Sequence, residues 1–121
     1  MKRRKIPEEL LALMAEKFRM LGDQSRLAIL HVLMTNGELN VGQIVAATGY
    51  GVANVSKHLK LLAETGLIRR SKQGSYVHYR LDDPVVERIC ELVCDSLRRE
   101  IEAQLKRSQR LLNPTPKKNP A

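Results

Sequence analysis

The stretch VANVSKHLKLL, Val52 to Leu62, decides how the rest of the chain is read. Val52, Val55, Leu59 and Leu62 recur at helical spacing and so share one face of an α-helix. On the other faces stand Ala53, Asn54, Ser56, Lys57, His58 and Lys60, with no carboxylate among them. A helix buried all round would not carry these residues, and a merely solvated one usually mixes in acid. The distribution suits a helix held to its domain by an apolar stripe, with its polar side turned toward a polyanion.

The residues just upstream supply the support for such a helix. VGQIVAATG, Val41 to Gly49, predicts a short helix through Val41, Ile44, Val45 and Ala47 that ends at Thr48 and Gly49, leaving only a tight turn before Val52. Two helices so joined make a helix-turn-helix, whose second helix enters a major groove. Ala53, Asn54 and Lys57 are then the expected base contacts. Asn54 can bond an adenine edge twice, and Lys57 can donate to guanine O6 or N7, pairings that discriminate by roughly 1–3 kcal/mol each. Ser56, His58 and Lys60 are expected on phosphate, which positions the helix without reading sequence.

Downstream, LIRRSKQGSYVHYRL changes period. Tyr76, His78 and Arg80 alternate with Val77, Tyr79 and Leu81, and Lys72 to Ser75 form a polar turn in which Gly74 can take positive φ. This predicts a two-stranded antiparallel hairpin. Arg69, Arg70, Lys72, Ser75, His78 and Arg80 make it a basic wing, expected on DNA phosphates. A basic edge strand also guards against stray sheet pairing.

The flanks read as helices with apolar stripes. PEELLALMAEKFRML opens with Pro7 at a first-turn position and Glu8 and Glu9 where acid suits a helix N-terminus, and it stops at Gly22. SRLAILHVLM is a mostly buried second helix, with His31 read as a partly buried structural residue, and NGELN is read as a turn. A last long helix starts after Asp82 or Asp83 with Pro84 at its first position. Its stripe of Val86, Ile89 or Cys90, Val93, Leu97, Ile101 and Leu105 is longer than one small core needs, so it asks for a partner. Residues 1–6 are expected as a basic arm, 7–107 as the DNA-binding and dimerisation domain, and 108–121 as a basic, proline-containing disordered tail.

Bulk properties agree. The chain has 121 residues, enough for one domain with a modest core. Lys and Arg number 21 against 13 Asp and Glu, a formal charge of +8, which points to nucleic acid or an anionic membrane surface. No apolar run approaches the roughly 20 residues that cross a bilayer, and no apolar segment follows the basic start, so no membrane partner and a cytoplasmic location are expected. Cys90 and Cys94 are then expected reduced. No nucleophile stands with a base, and no Gly-rich phosphate loop or metal-spaced histidine set occurs, so an enzyme is not expected.

Together, VSKHLKLLAETGLI, the basic wing with Gly74, the Tyr79–Leu81 ending and SRLAILHVL resemble the arsenic-repressor type (ArsR-like) regulators of bacteria and archaea, from about Glu16 to Leu97. The resemblance implies a mainly α, winged helix-turn-helix fold. It also implies a homodimeric, operator-binding repressor whose first and last helices pair across the two-fold axis, released from DNA by an inducer. Leu10, Leu13, Val86, Ile89, Val93, Leu97 and Ile101 are the expected interface, and two-fold symmetry predicts a palindromic operator. The family's third-helix cysteine motif falls on ELNVGQI, where Asn40 and Gly42 replace cysteines. Its last-helix zinc set falls on Asp82, Pro84, Asp95 and Arg98, a donor set lacking the imidazoles zinc favours. Zinc at the usual last-helix site is therefore not expected, and the one cofactor left in view is a soft metal or metalloid at the cysteine pair. The i,i+4 pair Cys90 and Cys94 keeps three readings open: core packing, a soft metal or metalloid, and sulfur or redox chemistry. A nonspecific, architectural nucleic-acid protein bound through its basic ends is the rival reading of the whole chain.

Overall fold

The structure, a computed structural model, describes residues 3–114 and 116. The elements in order are α1 (Glu8–Leu21), α2 (Gln24–Asn36), β1 (Leu39–Asn40), α3 (Val41–Thr48), α4 (Val52–Glu64), β2 (Ile68–Gln73), β3 (Tyr76–Leu81) and α5 (Pro84–Leu112). The described chain divides after Pro84 into two compact units, the first holding α1 to β3 and the second the body of α5.

In the first unit, the joint between α1 and α2 is built from one arginine. Asp23 caps α2 by accepting from the Arg26 backbone N–H at 3.0 Å. The Arg26 guanidinium then donates back to the carbonyls of Met20 and Arg19, at 2.8 and 3.0 Å, at the end of α1, where the Arg19 carbonyl also accepts from the Gly22 N–H. Gly22 follows α1 as expected, and Pro7 is its N-cap, next to the first turn.

The core is a cluster of Met20, Ile29, Leu30, Leu33, Ile44, Val55, Leu59, Leu62, Leu67 and Ile68, contributed by α1 to α4, the turn after α4 and the start of β2. Each fully buried Leu or Ile stabilises by about 1.5–3 kcal/mol. His31 is exposed rather than partly buried, since Ile29, Leu30 and Leu33 define the inward side of α2.

The hairpin has a third partner. β1 pairs antiparallel with β3, Leu39 opposite Tyr79 and Asn40 opposite His78, so the sheet order is β1-β3-β2. The expected turn around residues 36–40 thus contains a strand, too short to show any alternation in sequence. Asn40 also opens α3 through a capping box: its side chain accepts from Gln43 N–H at 2.8 Å, and the Gln43 side chain accepts from Asn40 N–H at 2.9 Å. The root of the hairpin is closed by the Leu67 carbonyl, which accepts from the backbone N–H groups of Asp82 and Asp83. Lys17 on α1 pairs with the Asp83 carboxylate at 2.6 Å.

α5 continues through Leu112, so the expected tail boundary at 107/108 falls inside the helix. SQRLL has ordinary helix formers, and the first strong stop is Pro114, which disfavours helix at Asn113. Of the expected arm and tail, Met1, Lys2, Thr115 and residues 117–121 lie outside the described residues.

Candidate nucleic-acid interface

The turn between α3 and α4 spans Gly49 to Gly51. Gly49 is left-handed at φ 76° and donates its N–H to the Val45 carbonyl, a conformation that β-carbon-bearing residues adopt at a cost. It ends α3 and lets α4 start within two residues. α4 is held by Val55, His58, Leu59 and Leu62, all buried. Val52, the first residue of α4, is not in that stripe: it is 60% exposed.

His58 is the larger correction. It was expected on phosphate but is only 9% exposed, standing between Val55 and Leu62 on the inward side. Its Nδ1 is buried without a protein partner. The Val55, Leu59, Leu62 stripe already contained the signal, since position 58 precedes an inward leucine and shares its side with 55 and 62. The imidazole charge contributes, after the Arg26 backbone bond and the Arg26 charge, to holding the Asp23 carboxyl below its ordinary range.

With His58 removed, the outward residues of α4 are Val52, Ala53, Asn54, Ser56, Lys57 and Lys60, all exposed and without acid before Glu64. Its N-cap is Gly51, with no side-chain acceptor, and its first turn has no carboxylate. The N–H groups opening α4 therefore stay open to an anion, in contrast to α2 and α3, which Asp23 and Asn40 cap.

The wing residues do not share one face. β2 pairs β3 with Arg69 opposite Arg80, Arg70 opposite Tyr79, Ser71 opposite His78, Lys72 opposite Val77 and Gln73 opposite Tyr76. Alternation puts Arg69, His78 and Arg80 on one side of the sheet, and Arg70 and Lys72 on the other, beside Ile68 and Leu81. Gly74, at φ 65°, and Ser75 make the two-residue turn, the arrangement of a type II′ hairpin. Tyr76 and Gln73, next to the turn and exposed, were not among the expected site residues. Gln73 lacks charge, and the Tyr76 ring looked like one more alternating strand residue.

In the second unit, Val93, Leu97, Ile101 and Leu105 form an exposed apolar stripe on α5. Leu97 and Ile101 are 51% and 62% exposed. Val86, expected in the same set, is instead fully buried in the single chain, leaving no exposed surface there for a second copy to cover. Ile89 is half-buried, and on α1 Leu10 and Leu13 are exposed. Cys90 is half-buried and Cys94 exposed. Partial burial first, and the neighbouring Cys94 second, push the Cys90 thiol above its ordinary range. Among the described residues no three His, Cys, Asp or Glu side chains gather as a metal site, and no helix is long and apolar enough to cross a membrane.

Known proteins share this arrangement. Residues 23–70, from the cap of α2 into the wing, match the family model described as bacterial regulatory protein, arsR family. Over 85 residues the chain is 36% identical to the arsenical resistance operon repressor of Escherichia coli K12, covering 70% of this chain and 73% of that one. The chain belongs to the ArsR family. The arsenical resistance operon repressor of Bacillus subtilis 168 is 33% identical, over 71% of this chain and 84% of its own. Among solved structures, the AntR antimony-specific transcriptional repressor superposes with a TM-score of 0.77 at 30% identity, covering 84% and 92% of the two chains. The homodimeric winged helix-turn-helix domain of Mb0332 from Mycobacterium bovis gives 0.67 at 30% identity, covering 80% and 90%. This ArsR-family chain is therefore a winged helix-turn-helix DNA-binding regulator, and the sheet beside its helices is the wing.

Proposed function

We propose that the chain is a homodimeric repressor that reads a palindromic operator. The observation that carries the reading is the exposed, acid-free outer side of α4, held from behind by Val55, Leu59 and Leu62. In this reading α4 lies in the major groove. Ala53 packs on a base edge, Asn54 and Lys57 supply the specific hydrogen bonds, and Ser56, Lys60 and the open N–H groups of the first turn hold phosphate. The apolar stripes of α1 and α5 are covered by a second copy, an assembly supported by the homodimeric relative. Two-fold symmetry then spaces the reading helices by about 34–36 Å, one turn of duplex.

The reading of release follows from the thiols. Arsenical and antimony repressors are among the relatives, yet Asn40 and Gly42 offer no sulfur at α3, where Asn40 instead holds the capping box. Cys90 and Cys94 lie four residues apart on α5, close enough for one charge to act on the other. They are the proposed site of a thiophilic inducer, each thiol exchanging its proton for a soft metal or metalloid.

Selection of bound duplexes from a randomised library, followed by sedimentation of the free protein, tests the repressor reading. A two-fold symmetric consensus with half-sites one helical turn apart and a dimer in solution are expected. Recovery of unrelated sequences would defeat it, as would steep salt dependence without sequence preference. Release from the recovered duplex by arsenite, antimonite, cadmium or a persulfide, repeated with Cys90→Ser and Cys94→Ser, tests the thiol site. Variants that respond as wild type would reduce the pair to packing.

A further inference from the structure

Among the described residues, His58 is the one titratable side chain buried with the core, and it stands on α4, the helix whose outward side carries Asn54 and Lys57. An aliphatic side chain would fill the same place with no polar atom to satisfy, so packing alone does not account for an imidazole. Its Nδ1 is buried with no hydrogen-bond partner among the described residues, an arrangement that is costly in a core. The elements packed on α4 are α3, β2 and α2. α3 has no titratable residue, and β2 brings only the exposed cations Arg69, Arg70 and Lys72. α2 brings an exposed His31 and, at its start, Arg26 and the capping Asp23. Asp23 is thus the one carboxylate on these three elements. It is near enough that, after the Arg26 backbone bond and the Arg26 charge, an imidazolium at position 58 also holds its carboxyl low. That carboxylate is already engaged, accepting from the Arg26 backbone N–H at 3.0 Å. A proton on His58 therefore places a positive charge in the core, and the one acid at hand can answer it only by turning from the N–H groups that open α2.

We propose that His58 is a proton-operated release: neutral, it lets α4 sit on the core, and protonated, it draws Asp23 from the α2 cap and loosens α4, so that the operator is released in mild acid. Imidazole changes charge between about pH 5 and 8, which sets the working range. The proposal rests on the operator reading above and is independent of the thiols on α5.

The test has one arm without DNA and one with it. NMR of the full chain, followed from about pH 8 to about pH 5.5, should show the His58 imidazole titrating together with the Arg26 backbone N–H, whose partner is being withdrawn. In His58→Gln that N–H should stay in place over the same range. Fluorescence anisotropy on the library-selected duplex at one salt concentration should show wild-type affinity falling with pH. The limit is about tenfold per pH unit for each copy bound, since one proton is linked per chain. His58→Gln and His58→Leu, checked by melting at the upper pH, should give affinity that is flat or rises in acid, because protonation of the remaining histidines only adds positive charge near phosphate. A wild-type curve parallel to both variants would overturn the proposal. So would an Arg26 N–H that does not move as His58 titrates, or a His58 that does not titrate in the range. Wild-type protein that binds selected and scrambled duplexes equally at the upper pH would instead refute operator reading, while the NMR arm would still decide whether the proton moves the cap.

Discussion

Replacing Asn40 with alanine should loosen the helix-turn-helix at its first residue. The Asn40 side chain accepts from Gln43 N–H at 2.8 Å, while the Gln43 side chain accepts from Asn40 N–H at 2.9 Å. Asn40→Ala removes the first bond and leaves the N–H groups opening α3 to water, which costs about 0.5–2 kcal/mol, typically about 1. The second bond survives that change, since it uses the Asn40 backbone, so Gln43→Ala should add a separate loss of about 0.5–1.5 kcal/mol. Asn40→Asp keeps the acceptor and places a negative charge at the α3 N-terminus, so it should match or exceed wild-type stability by about 0.3–1 kcal/mol. Urea unfolding with the slope held common reads all three. Asn40→Ala as stable as wild type, or Asn40→Asp as unstable as Asn40→Ala, would refute the assignment of the cap.

Further expectations concern separate parts of the chain. The Asp23 carboxyl is held low chiefly by the Arg26 backbone bond, so its folded value lies below its unfolded one; the stability it lends is present above about pH 4 and is lost as pH falls through the folded value. Asp23→Asn should therefore flatten the acid limb of a stability-versus-pH curve, and an unchanged limb would count against the cap. Because Cys90 is pushed up and half-buried while Cys94 is exposed, alkylation near pH 8 followed by peptide mass analysis should modify Cys94 first; Cys90 reacting first would contradict the placement. Gly74→Ala forces a β-carbon into positive φ and should cost about 1–2 kcal/mol, with Gly74→Asn milder; equal melting of all three proteins would argue against the turn. Leu97→Glu or Ile101→Glu should yield monomers by sedimentation if a second copy covers the α5 stripe, and dimers of undiminished strength would show that it lies elsewhere.

Much of the architecture is legible in the chain because its signals are local. The period of α4, the glycines at 22, 49 and 74, and Pro84 at the start of α5 each mark an element within a few residues. The features that escape sequence reading depend on partners distant in the chain. β1 is two residues long and exists through pairing with β3, so no alternation could reveal it. His58 looks polar and therefore outward, yet it occupies an inward position beside Leu59. Val86 fits the periodicity of an interface and is already buried in one chain. In the wing, charge alone could not separate Arg69 and Arg80 from Arg70 and Lys72; only the strand register does so.

Discrimination by Asn54 and Lys57 bears most directly on the central idea, that α4 reads bases with its outward side. The measurement is the affinity ratio between the selected operator and a scrambled duplex at one salt concentration, for wild type, Asn54→Ala and Lys57→Ala, alongside their melting curves. Loss of about 1–3 kcal/mol of discrimination in each variant is expected, roughly 5- to 150-fold in the ratio, with folding unchanged because both side chains are exposed. Full discrimination in both variants would contradict the account.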